Sequence, residues 1–238
     1  MNMSICIPST GGHEEAVELL DKHSTHPHEI LVLDYEGGYL EKLQKGYTET
    51  QSEIIAYFHS DCFVRESGWD DRVLSEFRDQ SIGIVAFNGA LRHGHPDIYK
   101  LPYDYRQLAR SGFISNLSDA EAHGVRNRGE MDVAVVDSFS LIIRRELLDR
   151  AGGWPVGTYP PNHVSDYWAC LMAHRLGYRV RFVGVACEHT SGGVRGNGTF
   201  DYPKWAATTN WGSDEVMHRE GHRLIYEEFR DVLPVRIG

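Results

Sequence analysis

Four short apolar segments, each followed by a turn and a more polar stretch, constrain the fold of this chain more than any other feature. They occupy residues 4–8, 29–34, 53–58 and 82–87 of the 238-residue sequence. The stretch over 13–23 repeats its apolar residues at helical spacing. Nearly continuous apolar runs are typical of strands that are buried on both faces of a sheet. The alternation predicts an α/β fold of βαβ units, with a mainly parallel central sheet flanked by helices.

Polar residues follow two of these predicted strands. Asp34 ends the second segment, and His59, Ser60 and Asp61 follow the third. Ligands of open α/β sheets bind at the carboxyl ends of the strands. Because alternate residues of an extended segment point the same way, His59 and Asp61 should share a face. Carboxylate and imidazole groups can hold Mg²⁺ or Mn²⁺ when substrate phosphates complete the coordination, although a solvated turn explains the triplet equally well by itself.

The rest of the sequence is less regular. Residues 88–132 are rich in Gly, His, Arg and Tyr, and we expect loops or short irregular helices there. A helix is predicted over 165–176, because the glycine that follows is a natural C-cap. We expect a further strand over 178–185, with its end at residues 188–189. A last helix is expected over 213–232, with the serine at its start as N-cap.

Composition restricts the partners and the compartment. Lys and Arg total 24 against 34 Asp and Glu, and the net charge of −10 disfavours general attraction to nucleic acid or anionic lipid. No apolar run is long enough to span a membrane, and the N-terminus leads into a strand without a secretory pattern. The four cysteines lack the close spacing of a zinc site. We therefore expect one domain over residues 1–238 in a cytoplasmic protein with reduced core cysteines.

Five segments, taken in order, resemble motifs of the inverting family 2 glycosyltransferases of GT-A fold. Three of them are the strand-like segments and the polar triplet described above, and the other two lie in the second half of the chain. The five segments are 4–9, 31–34, 59–61, 137–154 (ending in Gly-Gly-Trp) and 165–180 (closing in Gly-Tyr-Arg). The resemblance implies a single GT-A (Rossmann-like) domain. Its nucleotide-sugar-binding half would be 1–90, its acceptor and catalytic half 91–200, and its C-terminal helical segment 201–238.

The resemblance also implies roles for single residues. Asp166 matches the Asp of the family's Glu-Asp pair, which is the catalytic base. Asp61 matches the second Asp of the metal-binding Asp-x-Asp motif, in which His59 stands where the family has the first Asp. His189 matches a late histidine that completes the metal site in many GT-A enzymes. The nucleotide sugar would be bound by Pro8, Ser9, Asp34, Ser60 and Arg195.

Each of these assignments has a simpler structural alternative. Asp166 suits a cap at its helix N-terminus, where backbone N–H groups and the helix dipole favour a carboxylate. His189 is alternatively a buried structural histidine. The glycine-rich segment 192–198, which contains Arg195, is either a lid over the donor or a surface loop. Trp168 is expected in the core.

The function implied by the resemblance is transfer of a sugar, with inversion, from a nucleotide-diphosphate sugar to an acceptor hydroxyl. The donor would be UDP-linked, the cofactor Mn²⁺ or Mg²⁺, and the acceptor a glycan or a hydroxymethylated DNA base. For a nucleic-acid acceptor, the candidate phosphate contacts are Arg126, Arg128, Arg144 and Arg145. One alternative is a sugar nucleotidyltransferase, although residues 9–13 lack the basic residue that it would need. Another is a sugar-binding module without catalytic activity.

Overall fold

The computed structural model describes residues 1–35, 37–94, 110–118, 124–190 and 202–238. The strands are β1 (Met3–Ser9), β2 (Glu29–Asp34), β3 (Ile54–Phe58), β4 (Cys62–Val64), β5 (Ile82–Ala86), β6 (Asn88–His93), β7 (Arg110–Ser115), β8 (Val125–Arg126), β9 (Glu130–Asp132), β10 (Ser140–Arg144), β11 (Arg179–Val183), β12 (Cys187–His189) and β13 (Val235–Arg236). The helices are α1 (Glu14–His23), α2 (Tyr39–Glu49), α3 (Trp69–Glu76), α4 (Arg145–Ala151), α5 (Ser165–Arg175), α6 (Tyr202–Thr208) and α7 (Asp214–Glu228).

A seven-stranded sheet with the order β2-β1-β3-β10-β5-β11-β9 lies at the centre. β1 pairs in parallel with β2 and β3, and β11 pairs in parallel with β5. β10 runs antiparallel to both β3 and β5, and β9 runs antiparallel to β11. Five of the seven strands therefore point the same way, as the alternating sequence pattern predicts.

Helices cover both faces of this sheet. Along β3, Ile55 and Tyr57 belong to the core on one face, whereas Ile54, Ala56 and Phe58 belong to the core on the other. Helices α2, α4, α5 and α7 supply buried side chains to the first core, and α1 and α3 supply them to the second. Burial on both faces explains the continuous apolar runs of the central strands. The four cysteines are free and buried, as expected of core residues.

β2 lies at the edge of the sheet, which corrects the expectation that this apolar run is buried on both faces. Only Leu33 of its residues is fully buried, and the preceding three are partly exposed. An edge strand has a hydrogen-bonded neighbour on one side only, so its side chains are covered less completely. Hydrophobicity alone does not distinguish an edge strand from a central one.

In the described part of 88–132, strands form instead of the expected loops and irregular helices, and 95–109 and 119–123 lie outside the described residues. β6, β7 and β8 belong to a four-stranded sheet with the order β13-β6-β7-β8, and β9 joins the central sheet. β6 pairs with β13 from the far end of the chain, so local sequence contains only part of the signal. β6 also contains Gly89, which has no apolar side chain to mark the strand in the sequence. A Cβ at this position would lie only 2.7 Å from the Val133 side chain.

The single strand expected from residue 178 to residues 188–189 is two strands in two sheets. β11 ends at Val183, and β12 pairs antiparallel with β4 in a separate two-stranded sheet. Gly184 stands at the break, where a Cβ would lie 2.6 Å from the backbone of Arg128. The chain therefore changes sheets at a point of close backbone contact. This change places β12 beside the end of β3.

The last helix, α7, begins as predicted and ends earlier. The Ser213 hydroxyl accepts a hydrogen bond from the Val216 N–H at 3.3 Å and caps the helix, which ends at Glu228 instead of near Val232. Gly221 of α7 packs closely on Val164, just before α5. α7 thus supports the segment that starts α5. Within the described residues, no helix is long and apolar enough to cross a membrane.

Candidate metal and nucleotide site

Three potential metal ligands meet at the carboxyl end of β3. His59, Ser60 and Asp61 follow β3 and lead into β4, whose antiparallel pairing with β12 sets Cys62 opposite His189. The Asp61 Oδ1 atom lies 3.5 Å from His189 Nε2 and 3.9 Å from His59 Nδ1. One ligand atom of each residue lies within 4.8 Å of the others. The structure therefore brings together the three residues that sequence resemblance assigns to metal binding.

Neighbouring side chains fix the orientation of these groups. The Phe139 ring stacks on His189 with centroids 4.5 Å apart, and Tyr39 meets His59 edge-on at 5.3 Å. The Ser138 hydroxyl lies 3.1 Å from His59 Nε2. On the carboxylate, Thr190 donates a hydrogen bond to Asp61 Oδ2 at 3.4 Å. Such outer contacts hold metal ligands in a defined orientation before a metal binds.

Electrostatics favour the neutral form of the first histidine. Burial, followed by the effect of His189, lowers the pKa of His59 to about 4, although Asp61 and Asp137 oppose the change. A neutral imidazole has a free lone pair for a metal. Imidazole nitrogens and carboxylate oxygens are both ligands of divalent metals. The donor set therefore fits a divalent metal.

Asp166 lies in the first turn of α5 and is 9% exposed. Its Oδ1 accepts a hydrogen bond from the N–H of Tyr167 at 2.9 Å. The preceding residues His163 and Val164 have positive φ angles of 68° and 54°, a left-handed conformation that residues other than glycine seldom adopt. Two successive residues of this kind are strained, and such strain is concentrated at functional sites.

Tyr39 contacts His59 of the metal cluster, and sequence reasoning missed it. Burial and then the charge of Asp166 raise the pKa of the Tyr39 hydroxyl, with smaller effects from Asp137 and Asp61. The hydroxyl donates a hydrogen bond to the Ser138 carbonyl at 3.2 Å. The Gly-Gly-Tyr turn after β2 is the only signal that the sequence offers for this residue. Asp137 was missed because β10 runs antiparallel, which brings the residues before β10 to the carboxyl edge of β3.

The residues proposed for the nucleotide lie at the ends of β1 and β2. The register sets Ser9 beside Asp34, and Pro8 is buried next to them. His13 Nδ1 lies 3.2 Å from the Ser9 hydroxyl and 3.8 Å from Asp34 Oδ2. Ser60 is only 2% exposed, and its hydroxyl has no hydrogen-bond partner among the described residues. This edge therefore presents polar groups close to the metal cluster.

Lys42 is a further residue of this edge that the sequence did not indicate. Its ammonium group donates a hydrogen bond to the Ser9 carbonyl, and the side chain is 3% exposed. Burial lowers the pKa of Lys42 to about 8, although Asp34 and Glu41 oppose this change. A buried cation beside the ends of β1 and β2 is suited to a phosphate ligand. A lysine within a helical pattern carries no such signal by itself.

Two of the four candidate arginine contacts are wrong. Arg144 donates hydrogen bonds to the backbone carbonyls of Phe77, Asp79 and Ile82, and Arg145 donates to those of Tyr47, Thr50 and Ser52. Both therefore fasten segments together at the edge of the sheet opposite the metal cluster. Arg126 and Arg128 are exposed. Arg195 and the segment 192–198 lie outside the described residues.

Two tryptophan side chains of this half, Trp154 and Trp168, belong to the core. Trp168 is 3% exposed, as expected, and Trp154 is 4% exposed. The Trp154 Nε1 atom donates a hydrogen bond to the Tyr57 hydroxyl at 3.3 Å. Trp211 is half-buried. Neither Trp154 nor Trp168 is therefore available to stack on a sugar ring.

The sheet order, the helices on both faces and the polar carboxyl edge define a GT-A-type fold. No protein-family model and no curated protein matches the sequence. Among solved structures, the mannosyltransferase PcManGT from Pyrobaculum calidifontis, in complex with GDP-Man and Mn²⁺, superposes with a TM-score of 0.51 at 14% identity, over 79% of this chain and 56% of that chain.

Two further structures are similar at lower scores. GalNAc-T7 with UDP, GalNAc and Mn²⁺ has a TM-score of 0.48 and 12% identity, over 79% of this chain and 43% of that chain. A197 from STIV has a TM-score of 0.46 and 11% identity, over 77% of this chain and 82% of that chain. The chain thus spans about half the length of the two glycosyltransferases. At these identities, the similarity shows the fold alone.

Proposed function

We propose that this chain is a metal-dependent inverting glycosyltransferase, which moves a sugar from a nucleotide-diphosphate sugar to an acceptor hydroxyl. The observation that carries the proposal is the cluster of His59, Asp61 and His189 at the carboxyl edge of a GT-A-type sheet. Support comes from the mannosyltransferase with the same fold, whose structure contains GDP-Man and Mn²⁺. The protein would be a single domain over residues 1–238.

The reaction would be a direct displacement at the anomeric carbon. A bound metal would neutralise charge on the departing diphosphate. Asp166 accepts the proton of the acceptor hydroxyl as the new C–O bond forms, and the electron pair of the broken bond leaves with the diphosphate. One displacement inverts the anomeric configuration. Tyr39 packs edge-on against His59 and would help to orient that ligand.

The donor would lie along the carboxyl ends of β1, β2 and β3. Asp34 orients the nucleoside, with uridine as the proposed base, and Lys42 contributes positive charge near the phosphates. The remaining proposed donor contacts are Pro8, Ser9, Ser60 and Arg195. The acceptor would be a glycan or a hydroxymethylated DNA base.

A product assay tests this function directly. Purified protein with Mn²⁺ is incubated with a panel of UDP- and GDP-linked sugars and a panel of acceptors, and the products are followed by ¹H NMR. We expect release of the nucleoside diphosphate from at least one α-linked donor, together with a β-linked product. Retained configuration in the product would contradict the displacement mechanism. A nucleotidyltransferase would instead release pyrophosphate from a nucleoside triphosphate and a sugar phosphate.

A further inference from the structure

An arginine-lined cavity lies beside the metal cluster. It has a volume of about 480 Å³, and its lining includes Arg65, Arg72, Arg126 and Arg128 together with Asn116 and Glu66. This volume lies within the range of small-molecule sites, which is roughly 300–1,000 Å³. The four guanidinium groups come from three separate parts of the chain. The fold brings them together, and no local sequence pattern predicts that they line one cavity.

Two of these arginines are neutralised by carboxylates. Arg65 pairs with Glu15 at 3.4 Å and with Glu188 at 3.1 Å. Arg72 pairs with Glu66 at 2.6 Å and with a second glutamate, Glu130. The Glu66 carboxylate is further engaged, because it accepts a hydrogen bond from the Ala186 N–H at 2.8 Å. These pairs set four carboxylates against two guanidinium groups, so neither Arg65 nor Arg72 contributes net positive charge.

The other two arginines retain their charge. Arg126 donates hydrogen bonds to the backbone carbonyls of Leu117 and Ser118 at 3.0 and 3.2 Å. Within the described residues, neither Arg126 nor Arg128 forms an ion pair with a carboxylate, and both are exposed at the cavity. In a chain of net charge −10, this is a local concentration of positive charge. Guanidinium groups bind phosphate oxygens through paired N–H donors.

The cavity and the metal cluster share the strand β12. Cys187 lines the cavity, and His189 two residues later belongs to the cluster. A strand rises by about 3.3 Å per residue, so the two sites are separated by about 7 Å along the strand. The Ser118 N–H donates a hydrogen bond to the Cys187 carbonyl at 3.0 Å, which ties the cavity wall to this strand. A molecule the size of one sugar spans that distance.

We propose that this cavity binds a phosphate monoester group on the acceptor, an assignment that rests on the proposed function. Arg126 and Arg128 bind the phosphate, and the sugar of the acceptor extends along β12 towards the metal cluster. A nucleic-acid strand fits less well, because its binding uses cations spaced along several phosphates. Here glutamates pair with Arg65 and Arg72, which leaves Arg126 and Arg128 as the two arginines of the cavity lining that can bind a phosphate.

Binding of a sugar phosphate without metal or donor tests the site independently of catalysis. Glucose 6-phosphate is titrated calorimetrically into the protein in EDTA, with glucose as the uncharged comparison. We expect binding of glucose 6-phosphate only, and at least tenfold weaker binding by the double variant Arg126→Gln/Arg128→Gln. Arg78→Gln is the matched control, because Arg78 is an exposed arginine away from the cavity. Its affinity should equal that of the wild type, and thermal melts should show all variants folded.

The outcomes separate this inference from the proposed function. Equal affinity of the double variant and the wild type, or no binding, overturns the phosphate site even if sugar transfer is observed. Tighter binding of a 20-nucleotide single strand than of glucose 6-phosphate, lost in the double variant, overturns it in favour of nucleic acid. Arginine-dependent phosphate binding by a protein that transfers no sugar overturns the acceptor role together with the proposed function. An acceptor phosphate predicts a raised KM with little change in kcat for the double variant.

Discussion

Asp166 lies in the first turn of α5, where a carboxylate can either stabilise the helix dipole or act as a general base. The N-cap position of α5 is Val164, and the Asp166 carboxylate accepts a hydrogen bond from the N–H of the next residue, Tyr167. Two features favour a chemical role. The backbone of His163 and Val164, which precede α5, is strained, and the charge of Asp166 acts on the buried Tyr39 hydroxyl beside the metal cluster.

Asp166→Asn separates the two roles. Asn keeps a side-chain oxygen that can accept the Tyr167 N–H but cannot act as a base, so folding and donor binding should survive. Turnover should fall by roughly 10²–10⁴-fold, the usual contribution of a positioned base. Asp71→Asn is a matched control, since Asp71 lies in the first turn of α3. The steady-state rates of both variants are measured, and Asp71→Asn should keep the wild-type rate. Wild-type turnover by Asp166→Asn would exclude Asp166 as the general base.

Lys42 makes the free energy of unfolding depend on pH. Its pKa is about 8 in the folded chain, below the ordinary value of 10.5. Between these two values the unfolded chain holds more protons than the folded chain. Stability therefore rises with pH across this window and is lowest below pH 8.

Comparison of the wild type with Lys42→Met isolates this effect, because other titrating groups cancel in the difference. From about pH 7.5 to about pH 9.5, the unfolding free energy of the wild type should rise relative to the variant by about 2 kcal/mol. Urea unfolding at several pH values measures it. A difference that stays constant with pH would show that the Lys42 pKa is not lowered.

Single residues of the site were predictable only where the sequence itself places them at a strand end. Asp34, His59 and Asp61 follow apolar runs, so their position at the carboxyl edge follows from the strand pattern. Tyr39 and Lys42 reach the same edge from a helix, and a helical pattern does not show which residues point to a ligand. Their contribution becomes visible only when the helix is packed on the sheet.

At the scale of elements, local periodicity predicted the strands that are buried on both faces and failed for those of the four-stranded sheet. β1, β3 and β5 are continuous apolar runs because both faces are buried. β6 and β7 belong to a sheet that includes β13, and no local sequence pattern indicates that β6 pairs with β13. The break between β11 and β12 depends on Gly184, whose role is close backbone contact rather than hydrophobicity.

Gly184→Ala tests the importance of that contact. The added methyl group would lie 2.6 Å from the Arg128 backbone, which has no flexible end to move away. We expect a loss of unfolding free energy of about 1–3 kcal/mol, the usual cost of overpacking. Gly129→Ala is the control, since its nearest neighbour is a side-chain atom at 3.4 Å. Equal thermal melts for the two variants would contradict the proposed contact.

At the scale of the whole molecule, the carboxyl edge of the sheet carries the candidate site and the opposite edge is structural. The carboxyl edge gathers the metal cluster, Asp166 and the nucleotide-side residues, whereas Arg144 and Arg145 fasten the opposite edge through backbone carbonyls. The alternation of strands and helices predicted the polar carboxyl edge but not the place of Arg144 and Arg145, which had been candidate phosphate contacts. It could not predict the arginine cavity, which arises only from tertiary packing.

Metal-dependent nucleotide binding is the most direct test of the proposed enzyme, because transfer requires metal and donor at the same edge. Thermal unfolding is measured with UDP in Mn²⁺ and with UDP in EDTA. At a UDP concentration 100-fold above its dissociation constant, Mn²⁺ should allow about 2.7 kcal/mol of stabilisation that is absent in EDTA. Asp61→Ala should abolish this difference, and His59→Ala should reduce it. Equal stabilisation by UDP in Mn²⁺ and in EDTA, or an unchanged response of Asp61→Ala, would contradict a metal-bound donor at this site.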